Sequence, residues 1–403
     1  MGKSIIMFPG SIESPFFEKE IRYMKKYFDN IYIISYWCKK SICQEIEKKY
    51  NISIYRLSKY NWKGIININL IRWLFEKNTG IEIKEKCIGD KKKIYGFLYI
   101  LLYGIFYSEV KDIIDKILDE QSDVILYSFW LTRGAYAIAH YSKERKVEKI
   151  ISRVHGYDLY EERNKINYLP FRKYIIKNLD EIDFISEIGK KYFEDKYKTD
   201  HLKTKVFYLG VDNNHLKKEI KVKNTICIAS CSSIIPVKRL DLIIESIKEI
   251  NLPIQWIHIG DGKEREKIEG LAKVKLRSKL YEFKGQLENK KVQKCLIEND
   301  VDYFINLSDS EGIPVSIMEA LSIGIPIIAR NVGGNSEIIS DKVGLLLQGD
   351  DINEWIKKME NFCNERLNSI EEYSLRSQNC INLWQQKFNE TLTYEKFFKK
   401  LIL

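Results

Sequence analysis

Residues 310–339, SEGIPVSIMEALSIGIPIIARNVGGNSEII, constrain the fold more than any other stretch of the 403-residue chain. Pro314 suits the first position of a helix, because its ring presets φ and its missing N–H would have had no intrahelical partner. Val315, Ile317, Met318, Ala320 and Leu321 give an apolar stripe at helical spacing, and Gly324 ends it. IPIIA follows at once, short and β-branched, as in a strand buried on both faces. A helix running straight into such a strand is part of a βαβ unit, so a parallel sheet covered by helices is expected. Glu311 falls in the loop before the helix and Glu319 about two turns inside it. The free N–H groups at such a helix start, opening on a crevice at the strand ends, favour an anion such as a diphosphate. That dipole is worth only about 0.3–1 kcal/mol, so full cations are needed as well.

The same alternation runs through the chain. KSIIMF (3–8), IYIISYW (31–37), ISIYRL (52–57), DVILYSFW (123–130), EKIISRVHG (148–156) and EIDFISEIG (181–189) read as strands of a first domain, the last of them closing it. EKEIRYMKKYF (18–28) is a helix after the loop PGSIESPF, so the chain opens as strand, loop and helix of a doubly wound domain. Six more strands are expected near 225–230, 254–259, 280–284, 302–306, 325–329 and 343–347. Length suits two domains of roughly 200 residues. We place the first at 1–212, the second at 213–385, and a terminal helix at 386–403 that crosses back to the first.

Charge is unevenly spread. Residues 1–210 hold 38 Lys+Arg against 28 Asp+Glu, and residues 211–403 hold 28 of each, so the first half carries the whole net charge of +10. A one-sided basic field suits an anionic partner such as lipid headgroups or a diphosphate-bearing acceptor; the alternative is a solvated lysine-rich surface. No aromatic and basic module for nucleic acid accompanies it. Lys91, Lys92 and Lys93 lead into IYGFLYILLYGIFY, too short to span a bilayer. That segment is a core helix or an interfacial one, and apolar residues nearly all round suit the core. Eight cysteines form no CxxC pair, and MGKSIIMFPG carries no long apolar run, so a reduced, cytoplasmic protein is expected.

Three further sites carry chemistry. His155 and Gly156 stand at the carboxyl end of a strand, where ligands bind in open α/β sheets. Lys238 and Arg239 lie at a helix start, where a cation is disfavoured unless an anion joins it. GDG (260–262) follows a strand. Asp300 and Asp302 form DVD, but they precede a strand far from another carboxylate pair, and we expect no metal there.

The pattern of Glu311, seven residues, Glu319, with GIP between and GG after, resembles the donor-sugar signature of retaining GT-B glycosyltransferases of the glycogen-synthase-like group. The resemblance covers nearly the whole chain and is densest in 150–215 and 225–350. It implies an α/β protein of GT-B type: two Rossmann-like domains facing across a cleft. In that family the first Glu contacts the donor hexose near its anomeric end and the second binds the nucleotide ribose, here Glu311 and Glu319. His155 corresponds to a His beside the reacting sugar, Ser186 and Glu187 to an SE element, and Lys238 to the lysine of a phosphate loop. The arginine of that loop is replaced by Ser233, so Arg239 or Arg330 must supply the second charge, or Ser233 must hydrogen-bond a phosphate oxygen. Gly312, Ile313, Pro314 and Val315 form the donor loop, Gly285 edges the base, and Gly10 edges the site from the first domain. The resemblance further implies metal-independent transfer of a hexose or N-acetylhexosamine, without cofactor, from a nucleotide sugar, UDP-linked by family frequency. The acceptor would be a glycan or lipid-linked molecule of surface polysaccharide synthesis, at the inner face of the plasma membrane. A catalytically silent nucleotide-sugar-binding or scaffold protein and a GT-B sugar-nucleotide epimerase are the alternatives.

Overall fold

The computed structural model describes residues 2–36, 38–57, 68–87, 92–164, 166–197, 199, 203–213, 219–277 and 279–403. The chain divides into two compact units, Met1–Phe207 with Glu395–Leu403, and Tyr208–Tyr394. Trp37, Lys91 and residues 214–218 lie outside the described residues.

The first unit is a seven-stranded, all-parallel sheet. Its strands are β1 (Ser4–Phe8), β2 (Asn30–Tyr36), β3 (Ser53–Leu57), β4 (Val124–Ser128), β5 (Lys149–Val154), β6 (Glu181–Phe184) and β7 (Lys203–Val206), in the order β3-β2-β1-β4-β5-β6-β7. The order reverses between β1 and β4, so the loops after those strands diverge and leave a crevice at the carboxyl edge. The centre of the sheet is apolar on both faces: β1 and β4 are buried along their whole length.

Three expectations are corrected in this unit. EIDFISEIG is not the last strand, because β7 follows as an edge strand whose KTKV sequence has one apolar residue. The first helix runs over Pro15–Met24, capped by the Ser14 hydroxyl, and not over 18–28. The apolar segment 94–107 belongs to a longer helix, Lys92–Glu120. That helix buries Ile100, Tyr103, Phe106, Tyr107, Val110, Ile114 and Ile117, which recur every three or four residues. At about 1.5–3 kcal/mol per fully buried large side chain, this one face outweighs an interfacial position. The opposite face near its start is bare, with Tyr95, Leu98 and Leu102 exposed.

A buried ionic cluster ties the chain's end to this sheet. Arg153 on β5 donates from Nη1 to Glu20 at 2.7 Å, and Phe397 lies under its guanidinium with Cζ 4.5 Å from the ring centroid. Lys400 pairs with Glu181 and, at 3.2 Å, with Asp183 on β6. The closing helix, Glu390–Leu401, contributes to this unit from Glu395 onward.

The second unit repeats the plan with six parallel strands: β8 (Ile226–Cys231), β9 (Ile254–Ile259), β10 (Leu280–Gly285), β11 (Tyr303–Asn306), β12 (Ile327–Arg330) and β13 (Gly344–Leu347). Their order is β10-β9-β8-β11-β12-β13, with the reversal between β8 and β11. Asp300 and Asp302 stand at the foot of β11 in structural ion pairs, Asp302 with Arg366 at 2.9 Å and both with Lys223. Among the described residues no helix is long and apolar enough to cross a membrane.

Candidate active site

In the second unit the loops after β8 and β11 leave the sheet on either side of the point where strand order reverses. The loop after β8 passes Ser233 and makes one 3₁₀ turn, Pro236–Lys238, before the helix Leu240–Glu249. The loop after β11 carries Glu311 and enters the helix Val315–Ser322. An ion pair joins the two loops at their inner side: Lys238 Nζ donates to Glu311 Oε1 at 2.7 Å, and the Glu311 side chain is 8% exposed. Asn306, the last residue of β11, donates from Nδ2 to the same oxygen at 3.1 Å. Its own Oδ1 accepts the Ser308 N–H at 3.1 Å, which fixes the amide's orientation.

The paired glycines of the motif have a steric cause. Gly333 has φ +51°, and a Cβ there would lie 2.0 Å from the Glu311 carbonyl oxygen. Gly334 N–H donates to Gly312 O at 2.8 Å. The strand-end turn after β12 thus packs backbone to backbone against the Glu311 loop, which only glycine allows.

Pro314 is the residue before the helix, in extended conformation (φ −69°, ψ 119°), and not its first turn. The helix starts at Val315, so Glu319 sits little more than one turn inside and is 9% exposed. It faces a cavity whose lining includes Ser233, Gly260, Asp261, Val315, Ser316 and Glu319, with a volume of about 270 Å³. Gly260, at φ +144°, brings the loop after β9 against the Ser232 carbonyl; a Cβ would lie 1.9 Å from that oxygen. Gly285 closes β10 at φ +70°, with Arg265 Nη1 3.6 Å from where a Cβ would stand.

The two arginines expected to supply a second cation are held by carboxylates. Arg239 hydrogen-bonds Asp241 at 3.0 Å and Asp309 at 3.1 Å. Arg330 pairs with the same Asp309 and with Asp350. Asp309 therefore bridges both guanidinium groups, and Lys238 is the cation that meets Glu311.

His155 and Gly10 belong to the first unit. The buried His155 ring packs against both Phe129 and Trp130, at centroid distances of 4.5 and 4.4 Å. Its Nδ1 lies 3.8 Å from Asp158, and neither ring nitrogen has a hydrogen-bond partner among the described residues. Burial lowers its pKa from 6.5, with Asp158 opposing, so the imidazole is neutral at neutral pH. Asp158 accepts both the His155 N–H and the Leu131 N–H at 2.8 Å, stapling the loops after β4 and β5. Gly10 (φ +81°) lines a cavity of about 70 Å³ with Ser128, Trp130, Thr132 and Arg133.

Asn306 and Asp309 lie outside the sequence-based candidates: Asn306 has a signal, a polar residue ending the strand YFIN, while Asp309 acts through contacts that spacing does not reveal. Asp158 is legible beside His155 and Gly156 at the strand end, but its bonds to the His155 and Leu131 N–H groups are not.

Residues 211–378 match the family described as Glycosyl transferases group 1. The matched residues lie within the second unit. They include Ser233, Lys238, Arg239, Gly285, the Glu311–Glu319 segment and Arg330. An uncharacterized glycosyltransferase of Methanocaldococcus jannaschii is 28% identical over 295 residues, 73% of this chain and 79% of that protein. The O-antigen biosynthesis glycosyltransferase WclY of Escherichia coli is 26% identical over 202 residues, 46% of this chain and 54% of that protein. Among solved structures, Anabaena HepE in complex with UDP and glucose superposes with a TM-score of 0.69 over 100% of this chain and 99% of its own, at 14% identity. That likeness is one of fold, and the two parallel-sheet α/β units are those of GT-B proteins.

Proposed function

We propose that the chain is a retaining glycosyltransferase that moves a hexose or N-acetylhexosamine from a nucleotide sugar, UDP-linked, to a glycan or lipid-linked acceptor in surface polysaccharide synthesis. The observation that carries this is the Lys238–Glu311 pair at the strand-order reversal of the second sheet, beside the cavity that Glu319 lines. A diphosphate leaving group needs a fixed positive charge, and Lys238 supplies it from a loop held rigidly by Glu311. Glu311 then meets the sugar, Glu319 the ribose, and Ser233 offers a hydroxyl to a phosphate oxygen. Arg239 and Arg330 are ion-paired too, with Asp241, Asp309 and Asp350, and through Asp309 they tie the loop after β11 to the loop after β8 and to the end of β12.

Because the acceptor attacks the face that the diphosphate leaves, no protein nucleophile is required. The O-antigen relative WclY and the UDP complex of HepE support the pathway and the base. Incubation with a panel of UDP- and GDP-sugars in EDTA should release nucleotide from one donor, with an α-donor giving an α-anomeric product. Conversion of donor to an epimeric nucleotide sugar without acceptor would favour the epimerase, and no turnover of any donor would favour a silent binding protein.

A further inference from the structure

We propose that a cavity at the carboxyl edge of β4 and β5 binds a sugar ring of the acceptor, its hydroxyls met by Tyr103, Thr132, Arg133 and Asn164. The inference deepens the proposed function, and rests on it only for calling that sugar an acceptor. The cavity measures about 160 Å³, with Tyr99, Tyr103, Thr132, Arg133, Tyr157 and Asn164 among its lining residues. Thr132 and Arg133 also line the smaller cavity that Gly10 borders, so the two spaces share a wall where strand order reverses.

Two of these side chains are more than nine-tenths buried, and each leaves a polar atom unused in the cavity wall. Asn164, 8% exposed, donates from Nδ2 to the carbonyl oxygens of Tyr157 and Tyr160, both at 3.1 Å. Both amide hydrogens are thus spent, and Oδ1 remains as an acceptor of fixed direction with no partner among the described residues. Tyr103, 5% exposed, packs its ring against Tyr136 and Phe171 at centroid distances of 5.7 and 5.8 Å. Its hydroxyl has no hydrogen-bond partner among the described residues. A buried carbonyl or hydroxyl left without a partner is costly, so this wall is built to meet one. Beside them, Thr132 stands before the helix Arg133–Tyr141 without its hydroxyl capping it. Arg133 enters no ion pair among the described residues, and its Cζ lies 5.4 Å from the centre of the Tyr36 ring.

The mixture of donors and acceptors identifies the ligand class. An ionised phosphate or a carboxylate offers acceptors alone and would meet Asn164 Oδ1 with repulsion, while a hydrocarbon chain would leave all four groups unmatched. A sugar hydroxyl does both, donating to Asn164 and accepting from Arg133. Burial raises the pKa of Tyr103, so its phenol stays protonated and can also give and receive. The rings of Tyr99, Tyr103 and Tyr157 offer the carbon face of a pyranose an apolar surface beside those polar groups.

Saturation-transfer NMR on the full chain with the methyl glycosides of glucose, galactose, mannose and N-acetylglucosamine, at millimolar concentration, tests the proposal. At least one glycoside should receive saturation, and neither inorganic phosphate nor farnesol should displace it. Tyr103→Phe and Thr132→Val each remove one hydroxyl and should keep the parent's melting temperature. Each should weaken that glycoside by roughly three- to tenfold, the loss of one neutral hydrogen bond. A hydroxyl with only a structural role would leave glycoside affinity unmoved. No saturation of any glycoside, unchanged affinity in both variants, or displacement by phosphate or farnesol would overturn the proposal. Binding is read without sugar transfer, so failure of donor turnover leaves this result standing, and its failure leaves donor turnover standing.

Discussion

Lys238 and Glu311, 73 positions apart in the chain, meet at 2.7 Å between Nζ and Oε1, and Asn306 shares the same carboxylate oxygen. The contact joins the loops on either side of the strand-order reversal in the second sheet. It fixes the lysine's position, and under the proposed function that makes Lys238 a charge preorganised for the donor diphosphate.

Lys238→Ala should give a folded protein whose kcat is lower by about 10²- to 10³-fold, the usual loss for one preorganised contact to developing charge. Steady-state kinetics with the donor that the panel identifies, beside a thermal melt, checks this. A loss under threefold would remove Lys238 from the mechanism.

His155→Ala should lower turnover more than it lowers UDP affinity. The imidazole is neutral, packed against Phe129 and Trp130, and keeps both nitrogens unmatched among the described residues. Paired kcat and UDP-titration measurements decide the matter; equal losses would mean a binding or folding role.

Acid should weaken the second unit through His258. Burial on β9 pushes its pKa down to about 4 from 6.5, and its Nδ1 faces the Ser230 hydroxyl at 2.9 Å. Below pH 6.5 the unfolded chain takes up a proton that the folded ring refuses, so this contribution is present above 6.5 and is lost as pH falls toward 4. The loss is about 2 kcal/mol between pH 7.5 and pH 5. Urea unfolding at both values should show His258→Asn losing less stability on acidification than the parent by about that amount. Identical pH slopes would contradict it.

The strands that the sequence reveals best are those with dense β-branched runs: all six of the second unit lie within two residues of their expected places. β7 escapes because an edge strand needs little apolar content, and KTKV has one such residue. Pro314 misleads by one position, since its fixed φ serves an extended residue before a helix as well as the first helical one. Glu311, Glu319 and Lys238 are legible only as a spaced pattern. That Lys238 touches Glu311, and that Asp309 occupies both Arg239 and Arg330, is set by how β8 and β11 lie side by side.

Removing Glu20 should destabilise the first unit by roughly 3–5 kcal/mol, because Arg153, 1% exposed, would keep a buried charge without its 2.7 Å partner. The paired replacement Glu20→Met with Arg153→Met should cost much less, since neither charge is then left alone. Urea denaturation of the three proteins checks this; a double variant as unstable as Glu20→Met alone would argue against it.

The most direct measurement is donor turnover by the parent and by Glu311→Gln, followed by NMR with the panel of UDP- and GDP-sugars. The expected result is nucleotide release and an anomer-retained sugar product from the parent, reduced at least 100-fold in Glu311→Gln while the fold and melting temperature persist. Equal rates in the two proteins, or no turnover of any donor by the parent, would contradict a glycosyl-transfer site built on the Lys238–Glu311 pair.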